Sequence, residues 1–381
     1  MPVQTPPNPY AAAHASPAGP GDARPTALQI LKDNALIGNL KDKVILGTGL
    51  TDGLGLQTLT QLAKTGARII FTARNVAKAQ KVVEDLVEAS KTDSDLHGAR
   101  VDFVEMDNKS LASVRAAAEQ ILTKTDKLNV LICNAGEYSQ TPVSFHKLTS
   151  YPGISNTPYE KTTDGFEAQF AINHLAHFLL FQLLTPLLLK SSTRNFNTRV
   201  IAVASVAHTF STVQLGNYAL DSPPKESYDP MVALTDDDDF THNPLLLYGQ
   251  SKTANIWFAN EIERRYGAQG VHGLSVHPGN IVTALWTNVD PRVTAKLGPL
   301  IESMPELGAS FKSVEQGAAT QVLAAVGNDW EGVGGVYLDD CGASEPIPEG
   351  AITGISGYKP WAYDVEGAGR LWEDSLEMVK A

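Results

Sequence analysis

The segment at 44–55, VILGTGLTDGLG, constrains the fold more than any other part of this chain. The apolar run Val44, Ile45, Leu46 ends in a turn carrying Gly47, Gly49, Gly53 and Gly55. Leu56, Leu59, Leu62 and Ala63 then fall on one helical stripe, which Lys64 and Gly66 close. That is strand, glycine-rich turn, helix. The rhythm recurs: apolar strands at 44–46, 68–73, 101–105, 129–133, 199–204, 271–276 and 335–338 alternate with helical patterns at 76–89, 111–123, 164–189, 248–266 and 316–326. Strands that are apolar throughout need cover on both faces, and the intervening helices supply it. The pattern predicts an α/β fold with a doubly wound, seven-stranded parallel sheet.

Two polar, proline-containing stretches interrupt the rhythm, at about 137–160 and 208–247, and each follows the C-terminal end of a strand. Open α/β sheets bind ligands along that edge, so both are expected at a pocket rim. The four aspartates at 236–239 lack an organised ligand spacing and read as a solvated face, not a metal site. Residues 1–38 read as a disordered or extended arm, 39–345 as one domain with two insertions, and 346–381 as an extension ending in an amphipathic helix at 363–379 that is expected to pack on the domain, with cover of the pocket as its alternative. The apolar run at 179–189 is too short to span a bilayer and reads as a buried helix. A formal charge of −12 argues against nucleic acid or an anionic membrane as partner. Two cysteines, Cys133 and Cys341, make no disulfide framework, which suits a reducing, cytoplasmic setting.

The turn itself carries chemistry. Its glycines allow a tight bend and let the backbone approach a pyrophosphate at the helix N-terminus. Far downstream stands Tyr248-Gly249-Gln250-Ser251-Lys252. At i and i+4 on a helix, Lys252 lies on the same face as Tyr248. A cation there favours the phenolate, pulling the tyrosine toward working pH and readying it to exchange a proton with a carbonyl or alcohol oxygen.

Six motifs in order resemble those of the short-chain dehydrogenase/reductases, and within them the retinol-dehydrogenase-like and WW-domain-oxidoreductase-like branch, without the WW domains. They are Thr48 to Gly55; Asn134-Ala135-Gly136; Asn173-His174-Leu175-Ala176-His177-Phe178; Ser205 after the fifth strand; Tyr248 to Lys252; and Pro278-Gly279-Asn280-Ile281-Val282-Thr283. The resemblance spans roughly residues 42–340 and implies a Rossmann-type single domain binding a nicotinamide dinucleotide. It implies Tyr248 as general acid or base, Lys252 on the tyrosine and the nicotinamide ribose, Ser205 on the substrate oxygen, and Asn173 holding a water that joins Lys252 to solvent. Cofactor contacts are then expected from Thr48, Gly49, Thr51, Asp52, Gly53, Leu54, Gly55, Arg74, Asp107, Asn108, Asn134, Ala135, Gly136, Tyr248, Lys252, Pro278, Gly279, Ile281 and Thr283. His174, His177 and His277 read as packing or capping groups. His208 reads the same way, with substrate contact as its alternative.

The second strand ends Thr72-Ala73-Arg74, with no carboxylate for ribose hydroxyls. Arg74 can pair with a 2′-phosphate, which favours NADP(H) over NAD(H). Asp52 runs against this unless it caps the following helix or points away. The expected reaction is hydride transfer between NADP(H) and a ketone, aldehyde or alcohol. The long rim suggests a lipophilic small molecule, lined by Phe210, Tyr218, Tyr228 and Trp286. Two alternatives keep the fold: reduction of an activated C=C bond in an enone or quinone, and a nicotinamide-sensing scaffold without turnover. Retention of both Tyr248 and Lys252 speaks against the scaffold. Relatives often pair through the helices holding Asn173 and Tyr248, which makes a homodimer the implied assembly unless the insertions block that face.

Overall fold

The computed structural model describes residues 5–96, 98–136, 159–229, 232, 240–281, 304–348 and 354–380. Seven parallel strands follow the expected positions: β1 (Val44–Thr48), β2 (Arg68–Ala73), β3 (Arg100–Glu105), β4 (Val130–Cys133), β5 (Thr198–Val203), β6 (Val271–Val276) and β7 (Val336–Asp339). Their order across the sheet is β3-β2-β1-β4-β5-β6-β7. The chain reverses its direction of travel between β1 and β4, where Ile45 pairs with Val130. Open α/β sheets bind ligands beyond the strand ends at such a reversal.

Every residue of β1, β4, β5 and β6 is buried, which accounts for their largely apolar sequences. One difference from the sequence reading lies at the far edge. A two-residue antiparallel strand, β8 (Gly342–Ala343), folds back onto β7 and makes an eighth member. The reversal passes through Asp340 and Cys341, both with positive φ, a signal that composition does not carry.

The helices begin where side chains can cap them. Asp52 caps α2 (Gly53–Ala63), Asn75 caps α3 (Val76–Ala89), and Ser110 caps α4 (Leu111–Lys124). The long helix α5 (Ala168–Ser191) contains a π-helical turn at Ala171–Leu175. By length and composition it resembles a membrane span, yet 78 % of its most apolar window is buried inside the fold. It is a core helix, as its Leu-rich run predicts. Helix α6 starts at Pro244, a turn earlier than the periodicity suggests, because Asn243 accepts the N–H groups of Leu245 and Leu246 and Pro244 occupies the first turn. It runs to Tyr266. Helix α7 (Pro305–Ser310) is followed by α8 (Val314–Val326), which covers β5, β6 and β7 and is opened by a Ser313–Gln316 capping box.

Both ends of the chain are built into this body. The arm at 1–38, read from composition as disordered or extended, is ordered over its described part. It forms α1 (Ala27–Asp33), whose Ala27, Ile30 and Leu31 are fully buried in the cluster containing Ala318, Val322 and Ala325 of α8. A short apolar stripe is diluted in an average over a Pro- and Ala-rich segment, which is why composition missed it. At the other end α9 (Val365–Val379) lays Ala368, Leu371 and Trp372 on α5 and α6. The indole of Trp372 meets Phe178 edge-on at 4.9 Å and Phe258 at 6.2 Å. This is the packing role expected of the terminal helix.

Candidate active site

Thr48, the last residue of β1, organises the glycine turn. Its Oγ1 accepts the backbone N–H groups of Asn134 (3.0 Å) and Ala135 (2.9 Å) at the end of β4. The Asn134 amide in turn donates to the carbonyls of Thr48 (3.1 Å) and Gly49 (3.2 Å). Gly49 has φ +66°, and a Cβ there would lie 2.8 Å from Ala135 Cα. A Cβ at Gly55 would lie 2.3 Å from Gly49 O. Both glycines therefore let β1, α2 and β4 close on one another, forming a bare-backbone cradle at the switch point. That cradle fits a pyrophosphate, since Thr51, Gly53 and Leu54 sit half-buried at its mouth and α2 points its N-terminus there.

Asp52 does what the sequence allowed for an acid in this place: it caps α2, accepting Gly53 N–H at 2.8 Å. It also pairs with Lys78 of α3 at 2.6 Å. Burial works to raise the Asp52 pKa, but Lys78 and Gly53 outweigh it and hold the carboxyl below its usual range. Arg74 follows β2 and is exposed. Lys78 was not singled out from sequence, although it stands four residues after Arg74 on the same helix-opening segment. Asp107 accepts Lys109 N–H (3.0 Å), and Asn108 donates to Ile172 O (3.2 Å). The first is a local turn and the second ties the end of β3 to the π-helical turn of α5.

The reactive set converges past the ends of β4 and β5. Tyr248, Lys252 and Asn173 are 8 %, 5 % and 1 % exposed, so the site is nearly dry. Lys252 Nζ lies 5.4 Å from the Tyr248 ring centroid and donates to Val203 O at 3.1 Å. Ser205 is the half-buried residue two places further on, and its hydroxyl favours the Tyr248 phenolate. Asn173 sits in the π-helical turn of α5, a device frequent at functional sites. Its Nδ2 donates to Ser251 Oγ (2.9 Å), which donates to Tyr248 O (2.7 Å). The Asn173 Oδ1 atom is buried without a protein partner and lies 3.5 Å from the place a Gly136 Cβ would take.

The electrostatics correct one expectation. The i, i+4 spacing predicts a tyrosine lowered by its lysine. Instead burial pushes the Tyr248 phenol up to about 12, with Ser205 acting to lower it. Burial also pulls Lys252 down to about 8. Desolvation disfavours both charged forms. The ammonium faces the ring and a carbonyl instead of hydrogen-bonding the phenol, so proximity alone does not win.

His177 is a link that the motif reading treated as packing. Its Nδ1 faces Asn173 O at 2.9 Å and its Nε2 faces Thr48 Oγ1 at 2.8 Å. Burial lowers its pKa to about 4, so the ring is neutral at pH 7. A carbonyl only accepts, which puts the proton on Nδ1 and leaves Nε2 to accept from the Thr48 hydroxyl. One imidazole thus ties the glycine turn to the π-helical turn. His174 is capped by Ser375 at 2.8 Å, and His208 Nδ1 by Ser205 O at 2.8 Å.

Of the expected rim residues, Phe210 is buried beside Gly249, and Tyr228 meets Phe240 at 5.4 Å. Tyr218 belongs elsewhere: it stacks on Phe170 at 4.9 Å and donates to Asp374 of α9. Its length lets it bridge two helices, so it packs in the core. Pro278 and Gly279 follow β6 half-buried, and Ile281 is buried. Thr283, Trp286 and most of the first insertion lie outside the described residues. Among the described residues there is no cluster of His, Cys, Asp and Glu able to hold a metal ion.

The same architecture occurs in known proteins. The family model for short chain dehydrogenase matches residues 43–220. The short-chain dehydrogenase/reductase prx1 of Penicillium roqueforti is 43% identical over 367 residues, covering 95% of this chain and 92% of that protein. The WW domain-containing oxidoreductase of Homo sapiens is 33% identical, with 94% of this chain and 72% of that protein covered. A solved structure, the Pseudomonas aeruginosa RhlG/NADP active-site complex, superposes with a TM-score of 0.52 at 20% identity, covering 80% of this chain and 96% of that one. The glycine cradle and the parallel sheet define a Rossmann-like α/β oxidoreductase. More particularly, the chain belongs to the short-chain dehydrogenase/reductase family.

Proposed function

We propose that this protein is an NADP(H)-dependent oxidoreductase that interconverts a carbonyl and an alcohol on a lipophilic small molecule. The observation that carries the reading is the dry set Ser205, Tyr248, Lys252 and Asn173, placed one strand from the glycine cradle. When bound, the nicotinamide supplies or removes hydride. The chain's own part is to bind, orient and move a proton. Thr48 to Gly55 and Asn134 to Gly136 would hold the dinucleotide, with Pro278 to Ile281 on the far side. Ser205 donates a hydrogen bond to the substrate oxygen. Tyr248, held protonated by burial, gives its proton to that oxygen in reduction and recovers it through the buried Lys252 and Asn173.

Preference for the 2′-phosphate rests on Arg74, exposed at the end of β2, and on Lys78, whose pairing removes the objection that Asp52 raises. The lipophilic substrate rests on the apolar cluster around Tyr248. Phe210, Leu220 and Val232 of the second insertion pack with Ala207 before it and with Leu245, Leu246 and Leu247 at the start of α6, and Leu307 joins from α7. The test is a panel of ketones, aldehydes and quinones scored by oxidation of NADPH and NADH. Reduction of lipophilic carbonyls with NADPH is expected. A preference for NADH, or saturation of C=C bonds with carbonyls untouched, would overturn it.

A further inference from the structure

The arm's contacts lead toward the site. Arg24 is 4 % exposed, although nothing in its neighbourhood of the sequence suggests a core position. Its Nη1 donates to Ser310 O at 2.7 Å, its Nη2 reaches the carbonyls of Gly19, Ala309 and Phe311, and its Nε holds Asp22 at 2.8 Å. Gln316 of α8 fastens the same bend, accepting Gly21 N–H at 2.9 Å and donating to Arg24 O at 3.1 Å. A buried guanidinium is costly unless its donors are spent, and a planar fork can gather several carbonyls at once.

Three of those carbonyls, Ala309, Ser310 and Phe311, sit on the segment that runs back beside the turn after β6. Lys312 N–H donates to Asn280 O at 2.8 Å, Ile281 and Lys312 form a parallel bridge, and Asn280 Nδ2 donates to Ser310 Oγ at 3.1 Å. Ile281 in turn lies on α8 at Gly317, where a Cβ would come within 2.0 Å of Ile281 Cδ1 and 3.3 Å of Leu54 in the glycine turn. In the sheet order β6 flanks β5 on the side away from β2. This is the Tyr248 end of the site, not the Arg74 end.

We propose that Arg24 is a positioning residue for the nicotinamide half of the dinucleotide: by gathering the carbonyls at 309–311 it fixes the turn at 278–281 against which that half rests. The inference rests on the dinucleotide reading above. It is tested by equilibrium binding of NADPH and of its nicotinamide-free fragment, 2′-phospho-ADP-ribose, to the full chain and to Arg24→Met and Arg24→Lys. Losing a buried charged donor set should weaken NADPH by about tenfold or more in Arg24→Met, while the fragment binds within about twofold of the unaltered protein. Arg24→Lys, which keeps the charge but loses the fork, should fall between. Equal weakening of both ligands, no change in either, or failure of both variants to fold would overturn the positioning role. If the unaltered protein binds neither ligand, the cofactor reading fails first.

Discussion

Tyr248 and Lys252 are both buried, and burial drives each toward its neutral form. For the donor role proposed for the tyrosine this is useful, since a proton donor must hold its proton until the substrate oxygen takes it. Tyr248→Phe keeps the ring and its packing, so kcat should fall by roughly 10²–10⁴-fold while NADPH binding, read by fluorescence titration, is retained. Surviving turnover would remove the tyrosine from the mechanism. For the lysine, burial costs stability. Its pKa is about 8 in the fold against an ordinary 10.5. Below pH 8 the folded and unfolded chains both carry the proton and the full penalty applies. As pH rises from 8 to 10.5 the folded state sheds its proton first, the unfolded chain binds more protons, and stability increases. Lys252→Met should therefore be more stable than the unaltered protein at pH 7, by about 2–3 kcal/mol, with the gap closing by pH 10 in urea unfolding. A gap that widens with pH would contradict the assignment. At the other end of the site, Arg74→Ala combined with Lys78→Ala should lower kcat/KM for NADPH by about 10- to 100-fold and spare NADH.

Among the elements, the site depends on contacts between strand ends more than on any one helix. Thr48 Oγ1 serves two backbone N–H groups and His177 together. Thr48→Val has nearly the same volume but strands all three, and should cost about 1–3 kcal/mol per unsatisfied group, visible as a lowered urea midpoint. A neutral effect would mean that the turn holds without the hydroxyl. Helix α9 is a second case. Trp372 is 3 % exposed and packs among Phe178, Phe181, Phe258 and Tyr266. Trp372→Ala should destabilise the fold by about 3–5 kcal/mol. The π-helical turn at Ala171–Leu175 shows a limit of periodicity. The motif marks Asn173 as functional, but nothing in the spacing of apolar residues marks one extra residue in a turn. Two of the turn's partners, Asn108 and Ser251, are supplied by distant segments, and the third, His177, by the next turn of the same helix.

On the scale of the whole molecule, α9 covers part of α5 and α6, the two helices through which relatives were expected to pair. The chain is predicted to sediment as a monomer, and removal of 365–381 should expose that aromatic face and cause self-association, read by analytical ultracentrifugation. A stable dimer of the full chain would contradict this. The sequence alone determined the alternation of strands and helices and the glycine turn, and marked Asn173, Ser205, Tyr248 and Lys252 as the candidate set, because each is written in local periodicity or in a short motif with a fixed spacing. It did not determine that the Pro-rich arm is ordered, that an extra strand edges the sheet, that Tyr218 belongs to the core, or that burial overrides the lysine at Tyr248. Those outcomes depend on which surfaces meet and how much water they exclude, and desolvation is a property of the assembled fold that no window of residues carries.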